Sequence, residues 1–134
     1  LFTEGVDHQN GVIKRLHRTE FIADLKEAFP ELQEKINREA GLLHLEMSAF
    51  TRFVQNRINA GDKDALGRAL KLADHYVRYG NKKLVNAIMV SFLEHLNFED
   101  GKVPRQWAWD FMTPALRARY HEIMTYNEQL LEKE

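Results

Sequence analysis

Gly61-Asp62 and Gly80-Asn81 constrain this chain more than any other feature, because each pair closes one helix and opens the next. Glycine tolerates the left-handed conformation that ends a helix, and Asp or Asn accepts a free amide at the start of another. Between the pairs, Leu66, Ala69, Leu70, Ala73, Tyr76 and Val77 recur at helical spacing. Before the first pair, Leu43, Met47, Phe50, Val54 and Ile58 form an apolar stripe that Leu42, Ala49 and Phe53 widen. After the second, Leu84, Val85, Ile88, Met89, Phe92, Leu93 and Leu96 continue the pattern. Three successive helices of about five turns, joined by such short turns, must run antiparallel.

The flanking segments read as helices too. Thr19 stands before Phe21, Ile22, Leu25, Ala28 and Phe29, which predicts a first helix with Thr19 as its N-cap. Pro30 cannot continue that helix but suits the first turn of a new one through Leu32 and Ile36, so the chain bends at Phe29-Pro30. Gly41 ends this second helix or begins the third. After Asn97, the polar run Glu99-Asp100-Gly101-Lys102 predicts a loop, followed by Pro104 and the aromatic segment Trp107, Trp109 and Phe111. Thr113-Pro114 then opens a last helix carrying Leu116, Tyr120, Ile123, Met124, Leu130 and Leu131.

The expected fold is therefore all-α. It holds six to seven helices in antiparallel hairpins, arranged as a bundle or as a short α-hairpin stack, with the stack favoured by the short turns. Residues 1–16, with Gly5, Asn10 and Gly11, read as a flexible N-terminal arm, and residues 17–134 as a single helical domain.

With 44% hydrophobic and 29% charged residues, the 134-residue chain has the balance of one globular domain. Its 19 basic and 20 acidic side chains nearly cancel, so no global field draws it to nucleic acid or to an anionic membrane, and a charge-driven partner must read a local patch. The absence of cysteine excludes a disulfide framework, a thiolate zinc site and a cysteine nucleophile, and fits a reducing compartment, here expected to be the cytoplasm. No apolar run approaches the roughly 20 residues of a membrane span.

Catalytic chemistry has no signature in this sequence. None of the six histidines pairs with another at i, i+3 or i+4, and the nearest approaches, His44 with Glu46 and Glu94 with His95, place their side chains on diverging faces. No GxSxG elbow and no phosphate-binding glycine loop occurs, and the seven glycines read as helix punctuation. No catalytic residue, cofactor or metal ligand is assigned, and an enzyme is not expected.

Two kinds of surface remain as candidate contact sites. Arg68, Lys71, His75 and Arg78 align as one basic ridge extended by Lys82 and Lys83, suited to an acidic partner or simply solvated. No exposed aromatic interleaves with that ridge in an RNA-binding pattern, so nucleic acid is a minor option. Glu20, Asp24, Glu27, Glu31 and Glu34 form an acidic ridge that reads adequately as a solvated face. A second acidic group, Glu94, Glu99 and Asp100, lies beside Trp107 and Trp109. Those tryptophans point about 200° apart on a helix, so one suits a core anchor and the other an interface anchor, or both pack in the core against different neighbours.

The run from Phe29 to Tyr120 resembles a poorly characterised family of small bacterial all-α domains. The resemblance is carried by Phe29-Pro30-Glu31-Leu32, by Gly41-Leu42-Leu43-His44-Leu45-Glu46-Met47, by Gly61-Asp62 and above all by Asn86-Ala87-Ile88-Met89-Val90-Ser91-Phe92-Leu93-Glu94-His95-Leu96. Members are similar to proteins encoded beside toxin genes. The resemblance thus implies an immunity protein that neutralises a cognate toxin domain, a nuclease in the first instance, by covering its active site without any cofactor. Such a blocker would present Glu94, Glu99, Asp100, Trp107 and Trp109 to a basic cleft. The rival surface is Arg68, Lys71 and Arg78, and the rival class is a helical adaptor or scaffold that holds a peptide or regulatory protein.

Overall fold

Seven α-helices and two short β-hairpins follow one another in the computed structural model, which describes residues 2–3, 6–7, 12–13, 15–101 and 103–132. Helices α3 (Leu43–Asn59), α4 (Lys63–Tyr79) and α5 (Lys82–Ser91) are joined at the two turns read from the sequence. Gly61 has φ of +71°, and the Asp62 side chain accepts from the Ala65 amide at 3.0 Å. At the second turn Asn81 accepts from the Leu84 amide at 2.9 Å, but Gly80 is extended, with φ of −74°, and not left-handed as expected, because it pairs with Leu16. All three helices touch one another, while α1 (Arg18–Ala28) and α7 (Pro114–Glu132) pack on α4. A bundle around one shared core describes this arrangement.

The centre of that core is aromatic. Phe50 and Phe92 stack with centroids 4.7 Å apart and planes 7° from parallel, and Phe21 meets both Phe50 and Tyr76 edge-on. Met47, Phe50, Val54, Ile88 and Phe92 are fully buried, with Leu43 packed against them at the margin. The bend at Phe29-Pro30 takes the form of a 3-10 turn, Pro30–Leu32, leading into α2 (Gln33–Arg38). At the start of α7, the Thr113 hydroxyl accepts from the Leu116 amide, as the cap-then-proline signal predicts.

Several expectations are corrected. Thr19 does not cap α1, which begins one residue earlier with His17 at the N-cap and no side-chain cap bond. The cause is upstream: Leu16 forms a parallel bridge with Gly80, donating to the Tyr79 carbonyl and accepting from the Asn81 amide, each at 2.8 Å. That bridge holds the backbone extended up to His17. Leu16 is 1% exposed, so the packed unit includes it, and an arm running to residue 16 is too long. Phe2 and Thr3 also pack, against His75 and Asp24, whereas residues 1, 4–5, 8–11 and 14 of that stretch lie outside the described residues.

The fifth helix is shorter than its apolar pattern suggests, ending at Ser91 and giving way to a 3-10 turn, Leu93–His95. The Ser91 carbonyl accepts from the Thr51 hydroxyl of α3 at 2.6 Å. Phe92, at the junction of α5 and this turn, stacks on Phe50. Two-residue strand pairs, Val6–Asp7 with Val12–Ile13 (β1, β2) and Glu99–Asp100 with Val103–Pro104 (β3, β4), replace part of what reads as loop.

Asp24 also leaves the role read for it. It is 8% exposed and not part of a solvated acidic face. Its carboxyl group accepts from the Tyr76 hydroxyl and from the Thr3 amide and hydroxyl. Burial, reinforced by the bond to Asp24, pushes the Tyr76 phenol above its ordinary pKa. His75 Nε2 donates to the Thr3 carbonyl, which completes a polar knot between the chain start, α1 and α4.

Candidate functional site

The acidic hairpin β3–β4 is fastened to the end of α3. Gln55 brackets Asn97, accepting from its amide at 2.8 Å and donating to its carbonyl at 3.2 Å, and the Asn97 side chain accepts from the Glu99 amide at 2.8 Å. Arg105 works from the other strand's end. Its amide donates to the Phe98 carbonyl at 2.7 Å, one guanidinium nitrogen donates to Asn59 at 2.6 Å, and another lies 3.7 Å from Asp100. Gly101, with φ of +64°, supplies the backbone that the hairpin turn needs.

Behind the hairpin three aromatic rings meet at steep angles. Phe98 and Trp109 are 5.5 Å apart at 86°, Trp109 and Tyr120 5.2 Å at 69°, and Phe98 and Tyr120 6.0 Å at 82°. Together with Asn97, Glu99 and Arg105 they line a cleft of about 320 Å³. Arg117 sits over the Trp109 ring at 5.3 Å, so this tryptophan is held on several sides. The result is a small wall with aromatic faces, an exposed carboxylate at Glu99 and a second at Asp100.

Only part of the acidic site read from the sequence is thus brought together. Glu99 and Trp109 line the same cleft, and Asp100 follows Glu99 on β3, outside the lining. Glu94, on the 3-10 turn after α5, is half-buried and accepts from Asn127 of α7 at 2.9 Å, outside the cleft lining. Trp107 departs in the other direction, meeting Phe111 edge-on at 6.5 Å, with the Lys63 ammonium 6.0 Å from its ring. Helix α6 (Gln106–Trp109) is a single turn, and residues two apart on it cannot face one side. Both tryptophans are half-buried.

The basic ridge is broken by local acids. Arg68 pairs with Asp64 at 3.1 Å, donates to the Ala28 carbonyl at 2.9 Å and lies 4.7 Å from the Phe29 ring. Arg78 lies 3.6 Å from Asp74 and 6.0 Å from the Tyr79 ring. His75 is packed among Phe2, Tyr76 and Tyr79, and Lys71 lines a hollow with Phe2, Glu27 and Arg68. His44 Nδ1 is 2.6 Å from Ser91 Oγ while Glu46 turns inward to Arg18, so the two diverge as their spacing requires.

A wider depression on the surface was not read from the sequence. It runs between the end of α4, the start of α5 and α7, with a volume of about 960 Å³. Its floor is Val77, Val85, Met89, Ala115 and Ala118. Its rim carries Arg15, Arg78, Lys82 and Arg119, with Glu122 as the acidic member. Two sequence signals point to it. Lys82 and Lys83 stand in the first turn of α5, where a helix favours acids, and Ala115 and Ala118 lie one turn apart on α7 among larger side chains.

The family described as "Domain of unknown function (DUF7674)" matches residues 22–128. Neither the curated proteins nor the solved structures contain a match to the chain. No helix among the described residues is long and apolar enough to cross a membrane.

Proposed function

The chain belongs to the DUF7674 family. We propose that it is a bacterial immunity protein, which binds a cognate toxin domain and covers its active site. The observation that carries this reading is that exposed Glu99 lines one cleft with Trp109 while exposed Asp100 follows it on β3, a strand that Gln55, Asn59 and Arg105 hold to α3. A nuclease gathers phosphate in a basic cleft, so its blocker gains from carboxylates that steer the encounter and from an aromatic side chain that is desolvated on contact. Because the hairpin is already braced, little ordering entropy is lost on docking. Such a complex forms in the cytoplasm and requires no cofactor or metal.

Copurification from the native cell tests the reading, with the partner identified by mass spectrometry. A toxin domain is expected at one-to-one stoichiometry. Reversal of Glu99 and Asp100 to lysine should weaken the complex and flatten its salt dependence, while reversal of Arg68 and Lys71 to glutamate should leave both unchanged. The opposite pattern would overturn the acidic site in favour of Arg68, Lys71 and Arg78. Recovery of a regulatory protein or peptide that forms a complex without inhibiting it would favour the helical adaptor.

A further inference from the structure

We propose that the groove between α4, α5 and α7 is a docking site for an acidic amphipathic helix of a partner protein. Neither Glu99 nor Trp109 lines it, so the proposal does not rest on the immunity reading. The floor arises from a mismatch in side-chain size. Val85 and Met89 stand four apart on one face of α5, and the apolar residues of α7 that share the lining with them are Ala115 and Ala118. Alanines do not fill the space between the two helices, and an open trough with an apolar base results. An incoming helix places side chains at i, i+3 and i+4 into such a base.

Charge selects the occupant. Four cationic side chains, Arg15, Arg78, Lys82 and Arg119, ring the trough. Facing them are the carboxylate of Glu122, 3.1 Å from Arg119, and that of Asp74, which lies outside the lining and 3.6 Å from Arg78. In a chain of net charge −1 this is a local concentration of positive charge. Lys82 stands at the positive end of the α5 dipole with Lys83 beside it, outside the lining, and no acid in that first turn offsets them. A sequence that sets aside a local stability rule without internal compensation points to a use for the broken rule. The rim is also prearranged, because Arg15 donates to the Arg78 carbonyl at 2.9 Å and the adjoining Leu16 is bridged to Gly80.

The chemistry of the floor separates protein from nucleic acid. Single-stranded nucleic acid is held by aromatic platforms on which bases stack, and among the described residues no aromatic side chain lines this trough. Valine, methionine and alanine instead match the leucine or isoleucine face of a helix, with the glutamates flanking that face set against the rim.

The test uses the full chain and fluorescence anisotropy. The probe is a fluorescein-labelled synthetic helix with leucines on one face and glutamates on the other. The controls are the same peptide with lysine for glutamate and a labelled single-stranded oligonucleotide. The acidic peptide should bind, with affinity falling as salt is raised, and the lysine peptide should not. Lys82→Glu combined with Arg119→Glu should weaken binding by about tenfold or more. Ala118→Trp, which fills the trough without changing charge, should weaken it comparably, and circular dichroism should show that both variants remain folded. The proposal is overturned if the acidic peptide fails to bind, or binds the folded variants as well as the parent. Oligonucleotide binding that needs Lys82 and Arg119 would overturn it in favour of a phosphate backbone. Concentration-dependent self-association abolished by Lys82→Glu would overturn it in favour of a second copy of this chain.

Discussion

Arg18, in the first turn of α1, grips both carboxylate oxygens of Glu46 on α3, at 2.6 and 2.5 Å. The Glu46 side chain is 1% exposed and that of Arg18 35%. This bond holds the guanidinium above its ordinary pKa. Stripping one partner from a buried pair leaves the other without solvent or counter-charge. Arg18→Ala should therefore cost about 3 kcal/mol, the lower end of the usual range because water can reach the vacated site. Arg18→Met with Glu46→Leu should restore most of that loss in urea unfolding. A double variant as unstable as the single would show that the pair contributes more than its mutual satisfaction.

Tyr76 gives the fold an alkaline limit. Its phenol is held above the ordinary value first by burial and then by its bond to Asp24. The folded pKa exceeds the unfolded one, so the stabilisation is fully present below about pH 10 and declines as pH rises beyond it, because the unfolded chain ionises first. Urea midpoints should fall as the pH rises from about 10 to about 12, and Tyr76→Phe should flatten that fall. At neutral pH the same variant should lose about 1 kcal/mol for the missing hydrogen bond. A decline just as steep in Tyr76→Phe would place its cause elsewhere.

Phe92→Ala should cost about 3 to 5 kcal/mol, since it removes one ring of the Phe50–Phe92 stack and leaves a cavity at the centre of the bundle. Against a typical domain stability of about 5–15 kcal/mol, that loss threatens the fold. Leu131, 71% exposed near the end of α7, provides the contrast. Leu131→Ala should change stability by no more than about 0.5 kcal/mol. Thermal and urea unfolding of the two variants checks both values.

The two turns that set the register of the bundle should respond separately to mutation. Asp62→Ala and Asn81→Ala each remove one cap acceptor and should each cost about 1 kcal/mol. Gly61→Ala meets open space but must adopt φ of +71°, so its cost of about 1 kcal/mol is backbone strain alone. A neutral or stabilising Gly61→Ala would mean that the turn rearranges.

Those turns were legible because a cap is chemistry between residues three apart, visible in a linear string. The core was legible for the same reason, since Met47, Phe50, Val54 and Ile88 follow the helical period. What the string concealed depends on partners far along the chain. Ser91 ends α5 through Thr51, Asp24 is drawn inward by Tyr76 and Thr3, and Leu16 displaces the α1 start through Gly80. At the candidate site, spacing alone separated Trp107 from Trp109. The sequence did not show that Asn127 would take Glu94 away from the rim, or that Ala115 and Ala118 would leave a trough opposite Val85 and Met89.

The strap around Leu16 also sets an order of events during synthesis. Its neighbour Arg15 reaches a carbonyl 63 positions further on, and Leu16 itself bonds to Tyr79 and Asn81. A nascent chain grows at about 5–20 residues per second, so these early residues leave the ribosome seconds before their seat exists. Helix α1 waits with them, its Phe21, Ile22 and Leu25 still uncovered. Closure of the strap must thus wait until the α4–α5 turn has emerged, and during that interval α1 leaves the newborn chain exposed to aggregation and to chaperones.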